Sequence, residues 1–440
     1  MTALSDSKRM DRFPFGCNVS NCLALFGVVL FGLGAAGFTS LMYLSFAPLI
    51  SVAILEARYA RAQALSQPFV PLLIILTTVI IVRVFFAIME HPESTEIIEK
   101  RGGQFLMISG IPAILVAWSL KKDIFFLKAL LFSYCIGLTF FLFFQGGFEY
   151  LLKAITEEER GRLFFGGHKS AIGAMYSLGV IFLAWLLITP PSPSVNARGM
   201  LTLKFIYLLA VLILLATFIL VVIFNQSRTN WIGLGAALLF LLFKAGSDSA
   251  KSPYLIYASS ITVIALISIA AYWSGDIFAS RLAPIFNNLN DALTTSIGEP
   301  SSSSLETRMQ IFKAAWISFL DRPWIGWGPW QYDLILKSLG GDSLVIWGHF
   351  HNLYLQVLVA YGLPLFMLFV YAFAKPFSLI SRLETTWSLA IACLLFVAII
   401  GLADLRHDDP VGQALYIITL AIPAAHIFAY AAGKLMYSRF

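Results

Sequence analysis

Apolar runs long enough to cross a bilayer, which takes roughly 20 residues for about 30 Å of hydrocarbon, recur along this chain from Cys22 almost to its last residue. Hydrocarbon offers no water to unpaired backbone groups, so runs of this kind cross as helices. Composition points the same way. Hydrophobic residues make up 59% of the 440 and charged residues 12%, against about 25% charged in an ordinary soluble domain, and the mean hydropathy is +0.82. A soluble enzyme is excluded, and the expected fold class is all-α, a polytopic membrane protein. Lys8, Arg9 and Arg12 precede the first run, and no small-residue cleavage site with a soluble remainder follows it, so it reads as a retained span. The four cysteines, Cys17, Cys22, Cys135 and Cys393, avoid the long polar loops and imply no disulfide framework.

Polar breaks divide the chain into twelve expected spans, near 22–38, 40–55, 69–89, 104–120, 124–144, 169–189, 203–224, 228–244, 254–273, 351–373, 387–403 and 411–432. The stretch 22–55 would make one helix of about 51 Å, too long for a single span. Gly34, Gly37 and Ser40 permit a tight hairpin within it. Orientation checks the count, because short cytoplasmic loops carry an excess of Lys and Arg. With both termini cytoplasmic, the inner side holds sixteen basic residues, Arg58, Arg61, Lys121 and Lys122 among them, against six acids, one of them Glu56. The outer side keeps the acidic stretches Glu90 to Glu99 and Glu157 to Glu159.

One large loop, 274–350, falls on the outer side between the ninth and tenth spans of a single integral membrane domain, 1–440. A loop of that length is functional or disordered, and this one carries helix signals. Ser303 and Glu306 form a capping box before Arg308, Phe312, Ala315 and Phe319, which share one helical face. Asp321-Arg322-Pro323 ends that helix, and serines 301–304 read as a hinge ahead of it.

Ionisable groups inside a membrane are functional candidates by default, yet the predicted midplanes hold almost none, with Arg83 near the outer end of its span. Polar chemistry gathers instead at the outer mouth. His351 stands where the long loop meets the tenth span, and a helix start favours its neutral, proton-accepting imidazole; the alternative is an interfacial anchor. His349, two residues away, is expected to point elsewhere on a helix, which argues against a metal pair. Arg228, in Asn225-Gln226-Ser227-Arg228-Thr229-Asn230, combines a guanidinium with helix-start amides and suits a phosphate, although on spacing alone a snorkelling arginine is the somewhat better fit. Arg308 shares that ambiguity, its place on an apolar face favouring a buried anionic partner. His168 and Lys169, entering the sixth span, form a weaker anion site or a cap. Asp404 to Asp409 reads as a hydrated turn before a metal site. Phosphate loops, nucleophile elbows, zinc motifs and dinucleotide fingerprints are absent from the sequence, so no metal and no soluble cofactor is expected.

His351-Asn352 followed by nine residues and Gly362 resembles the motif of bacterial O-antigen ligases and their relatives, the O-antigen polymerases and protein O-oligosaccharyltransferases; Leu365 departs from the pattern at its last position. Ser227-Arg228-Thr229-Asn230-Trp231 and Glu306-Thr307-Arg308, leading to Trp316, Pro323, Gly326 and Gly328, match in family order. The resemblance implies a GT-C-like glycosyltransferase architecture of about twelve spans with short helices in the periplasmic loop. It implies transfer of O-antigen glycan from undecaprenyl diphosphate to lipid A-core at the periplasmic face of the inner membrane, in lipopolysaccharide biosynthesis. The implied partners are those two glycolipids and membrane lipids, with no nucleic acid and no cofactor. Under it His351 is the base on the acceptor hydroxyl and Arg228 and Arg308 hold the diphosphate, with His349, Asn352, Lys169 and His168 as supporting candidates. Outer aromatic residues such as Trp273, Trp324, Trp327, Trp330 and Trp347 suit sugar stacking or an interfacial belt. The rival readings are a polymerase using the same donor, a protein oligosaccharyltransferase, and, from another class, a lipid-linked glycan flippase, which would need polar residues along a transmembrane path.

Overall fold

The computed structural model describes residues 18–57, 64–156, 169–189, 199–247, 296–297, 304–340, 349–380, 385–402 and 409–431. The expected ninth span, Glu157 to Glu159, His168, Trp273, serines 301–303, Trp347 and Asp404 to Asp408 lie outside the described residues. Within them the chain forms fifteen α-helices: α1 Val19–Ala35, α2 Thr39–Leu55, α3 Phe69–Glu90, α4 Thr95–Ile108, α5 Ile111–Leu120, α6 Ile124–Phe144, α7 Gly147–Thr156, α8 Lys169–Ile188, α9 Gly199–Asn225, α10 Arg228–Ser247, α11 Ser304–Asp321, α12 Tyr332–Gly340, α13 Leu353–Leu379, α14 Thr385–Gly401 and α15 Pro410–Ala431. Eight helical stretches are long and apolar enough to cross a membrane, and three shorter apolar helices, Val19–Ala35, Thr39–Leu55 and Thr386–Gly401, accompany them. Eleven of the twelve expected spans are thus helical, and the protein is a polytopic membrane protein.

The hairpin expected in 22–55 forms at Gly37, whose φ of +110° turns the chain. Gly34 packs so tightly against the backbone of Met42 that no side chain fits there. The expected span at 104–120 is corrected: helix begins at Thr95 and breaks at Gly110, where φ is +100° and a Cβ would meet Leu73. Pro112 then lies in the first turn of α5, where a missing N–H is tolerated.

α15 occupies the centre, packing on α5, α14, α13, α4 and α8. It is apolar nearly all round and buried from Gly412 to Ala429, as a helix with no solvent face must be. Peripheral helices show the reverse. α3 exposes Ile75, Ile81, Phe85 and Phe86, and α9 exposes Phe205, Ile206 and Ile213, surfaces that only a hydrocarbon solvent accommodates.

A polar knot ties three helices at one end of the bundle. Glu56, just past α2, accepts hydrogen bonds from Lys122, from Ser20 at the start of α1, and from Trp118 Nε1 of α5 at 2.9 Å. Lys122 also donates to Ser20 Oγ at 2.8 Å and Asn21 Oδ1 at 3.2 Å. Burial pushes the Glu56 carboxyl up, but the Lys122, Ser20 and Trp118 contacts outweigh it and hold the group below its ordinary value. A depressed folded value means that the stabilisation is present above the unfolded carboxylate range, near about pH 4.3, and lost as pH falls through the folded value. Thermal unfolding in micelles should therefore show Glu56→Gln less stable than wild type at pH 7, by about 1–3 kcal/mol for hydrogen bonds to a charged group. The difference should shrink on acidification below that range. Equal melting of the two proteins at pH 7 would show that the knot contributes nothing.

Candidate functional site

The tenth expected span is a discontinuous helix. Gly362 takes φ +76° and ψ 176°, and Pro364 follows with no N–H to give. A regular helix would bond Leu363 N–H to Val359 and leave the carbonyl of Ala360 unpaired. Here a segment from the long loop completes the pairing. Leu363 N–H donates to the Pro323 carbonyl at 2.7 Å, Trp327 N–H to Val359 at 2.8 Å, and Gly328 N–H to Ala360 at 2.9 Å. Non-helical backbone inside a membrane protein is tolerated where other protein groups satisfy it, and Pro323 to Gly328 does so.

Contact is backbone to backbone, which explains the glycines. A Cβ at Gly326 would sit 2.5 Å from the Ala360 carbonyl, and one at Gly362 2.5 Å from the Trp324 carbonyl. Gly326 and Gly328 take φ of +67° and +95°. Trp327 anchors the segment by donating from Nε1 to the Ser318 carbonyl at 2.7 Å, with the Arg322 guanidinium 4.0 Å above its ring. Arg83 of α3 donates to the Gly326 carbonyl at 3.4 Å. The end of α3 that bears Arg83 is opposite the Glu56 knot, since α4 and α5 run back from there to Trp118.

Ten residues before the break, the chain enters α13 through the two histidines. Asn352 caps the helix, its Oδ1 accepting from Leu355 N–H at 3.0 Å, the usual role of such a residue there. His351 precedes the cap with φ +51°. That left-handed turn overturns the expectation that His349 points elsewhere: neither histidine is helical, and their rings lie 3.9 Å apart, both buried. His351 N–H donates to His349 Nδ1 at 3.0 Å, so Nδ1 is the acceptor nitrogen and a neutral His349 carries its proton on Nε2. Phe350, fully buried between them, meets Tyr332 of α12 edge-on at 5.2 Å.

Arg228 opens α10 and is half-buried, just after Gln226, which turns the chain with φ +58°. Asn230 Nδ2 donates to the Ser170 carbonyl at 2.9 Å, joining the start of α10 to the start of α8, where Lys169 is the first residue. Gly173 leaves room for Asn225 and Asn230. One helix end brings the arginine and histidine elements together. Gly233 of α10 packs on Phe396 and Ile400 of α14, and Tyr354 of α13 packs on Gly401 and donates to the Ala398 carbonyl at 3.0 Å. The starts of α10 and α13 therefore flank the same end of α14. Arg308 is half-buried in the first turns of α11, which packs on α13, beside buried Glu306, Thr307 and Gln310. Of its expected face, Ala315 and Phe319 are buried and Phe312 partly so, while Trp316 and Leu320 are exposed. The loop insertion at Gly362 was the feature missed from sequence; Gly362-Leu363-Pro364 was its signal.

The fold and this mouth define a helical membrane protein in which the helix starts bearing Arg228 and the His349–His351 pair flank one end of α14, beside a discontinuous helix sealed by a loop. A family model described as O-antigen ligase matches residues 210–370, a segment containing Arg228, Arg308, His351 and the paired glycines, and this match supports assignment of the chain to the O-antigen ligase family. No curated protein matches the chain.

Gly362→Ala tests the seal. A side chain there is strained by its φ and meets the Trp324 backbone, a cost on the order of 1–3 kcal/mol for the backbone strain alone. The melting temperature should fall, and proteolysis of 323–328 should accelerate. An unchanged melting temperature and cleavage pattern would count against the seal.

Proposed function

We propose that this protein is an O-antigen ligase, a glycosyltransferase that moves O-antigen polysaccharide from undecaprenyl diphosphate to the outer-core sugar of lipid A-core without a metal. The observation that carries the reading is the placement of His351 at the head of α13 and Arg228 at the head of α10 on either side of the end of α14, inside the segment that matches the family. The chain works as a single membrane domain in the inner membrane, with both termini cytoplasmic and loop 274–350 facing the periplasm.

The reaction needs little covalent chemistry from the protein. The acceptor hydroxyl oxygen attacks the anomeric carbon, the bond from that carbon to the diphosphate oxygen breaks, and the diphosphate leaves with the electron pair. His351 takes the hydroxyl proton. Arg228 and Arg308 offset the charge that the diphosphate gains, a role that preorganised cations fill at low solvent cost. His349, against the His351 ring and bonded to its backbone, sets the orientation of the base. Asn352 fixes the helix start, and Lys169 and His168 stay as supporting candidates for the anion.

The test is transfer by purified protein from undecaprenyl-diphosphate glycan to lipid A-core with chelator present. His351→Asn is the informative variant, because asparagine accepts the left-handed backbone that alanine resists. Its turnover should fall by about 10²–10⁴, the usual contribution of a general base, with protein levels unchanged. Arg228→Ala should weaken both donor binding and turnover. Wild-type activity in His351→Asn would remove the base, and donor consumption only through longer lipid-linked glycans would replace the ligase reading with a polymerase.

A further inference from the structure

A groove of about 350 Å³ lies between α3 and the break in α13, with Arg83 and Tyr361 at its polar end and Val79, Leu365, Leu368 and Trp324 along its walls. Val79 and Trp324 are exposed, so the groove opens on the outer surface of the bundle. Its polar end has capacity to spare. Tyr361 is 5% exposed, yet its hydroxyl has no hydrogen-bond partner among the described residues, and neither has Arg83 Nε. The second half of α13 starts at Leu363, so the positive end of its dipole adds to the arginine charge. A cation with unused donors beside an apolar channel at the lipid surface suits a phosphate carried on a hydrocarbon chain.

The position of the groove distinguishes its occupant. Tyr361 is eight residues beyond Leu353, the first residue of α13, about 12 Å of rise, and His351 precedes that helix start, too far for a phosphate there to be the group leaving at His351. α3 packs on α13 and α4, whereas α10, which carries Arg228, packs on α14 and α8. A phosphorylated glycolipid acceptor has this form: a lipid end with phosphate, and a reacting hydroxyl on sugars further out. We propose that the groove seats the phosphorylated, acylated end of the acceptor, its phosphate between Arg83 and Tyr361 and a chain along Val79, Leu365 and Leu368. The proposal rests on the ligase reading for the identity of the acceptor.

The experiment uses full-length protein in nanodiscs of zwitterionic lipid, with lipid A lacking core sugars as the probe, a molecule that can occupy the groove but offers no core hydroxyl. The probe should bind wild type and compete with lipid A-core but not with the donor. Arg83→Gln should raise both the probe Kd and the acceptor KM about tenfold, as loss of one charge-assisted contact implies, with the change in KM and not in kcat. Tyr361→Phe should weaken the probe less, and Leu368→Trp, which fills the channel without touching charge, should block it. Probe binding as in wild type by all three variants would overturn the proposal, as would displacement by phosphatidylglycerol at equal concentration, or an Arg83→Gln defect confined to kcat. Arg83-dependent probe binding without transfer to lipid A-core would uphold the groove and overturn the ligase reading.

Discussion

The exchange of backbone hydrogen bonds between Pro323–Gly328 and the break at Gly362 is the contact on which the rest of the mouth depends. Three main-chain bonds, Leu363 to Pro323, Trp327 to Val359 and Gly328 to Ala360, replace those that a glycine and a proline remove from α13. They fix the loop against the helix with no side chain between them, so the loop is placed to the accuracy of a paired backbone. His351 and Asn352 stand at the head of the helix half so fixed, and α11 reaches it through the Trp327 bond to Ser318.

The two ends of the bundle use different chemistry. At one end Glu56 and Lys122 join α1, α2 and the end of α5 through charge. At the other, α10 and α13 meet α14 through small residues, Gly233 and Gly401, and a single tyrosine hydrogen bond. Within the span region, cross-helix bonds among the described residues include neutral ones, between Tyr134 and Met175, Tyr176 and Leu138, and Thr77 and Ser109. Close packing of small residues is what holds helices together where the solvent is as apolar as the core.

Much of this was legible in the sequence because a bilayer imposes one length and one pairing rule. Among the described residues, the span positions other than 104–120, the turn at Gly37 and the end of α11 at Asp321 followed from local residues alone. Features that failed to show were those whose cause lies elsewhere in the chain. Gly362 and Pro364 announce a helix defect, but the segment that repairs it is some thirty-five residues upstream, and nothing in either stretch names the other. The nearness of His349 and His351 depends on one positive φ, which a helical reading of two-residue spacing cannot supply. Arg83 read as a residue near a span end; its bond to Gly326 arises only once the loop is in place.

The broken helix also constrains how the protein is made. Loop residues 323–328 precede α13 in the chain, so they leave the ribosome before the carbonyls of Val359 and Ala360 that they pair with. Until they meet, α13 carries exposed backbone groups that hydrocarbon does not tolerate. Docking of the loop therefore has to accompany insertion of that span in biogenesis, and the loop segment, made first, stays unpaired until the later helix arrives.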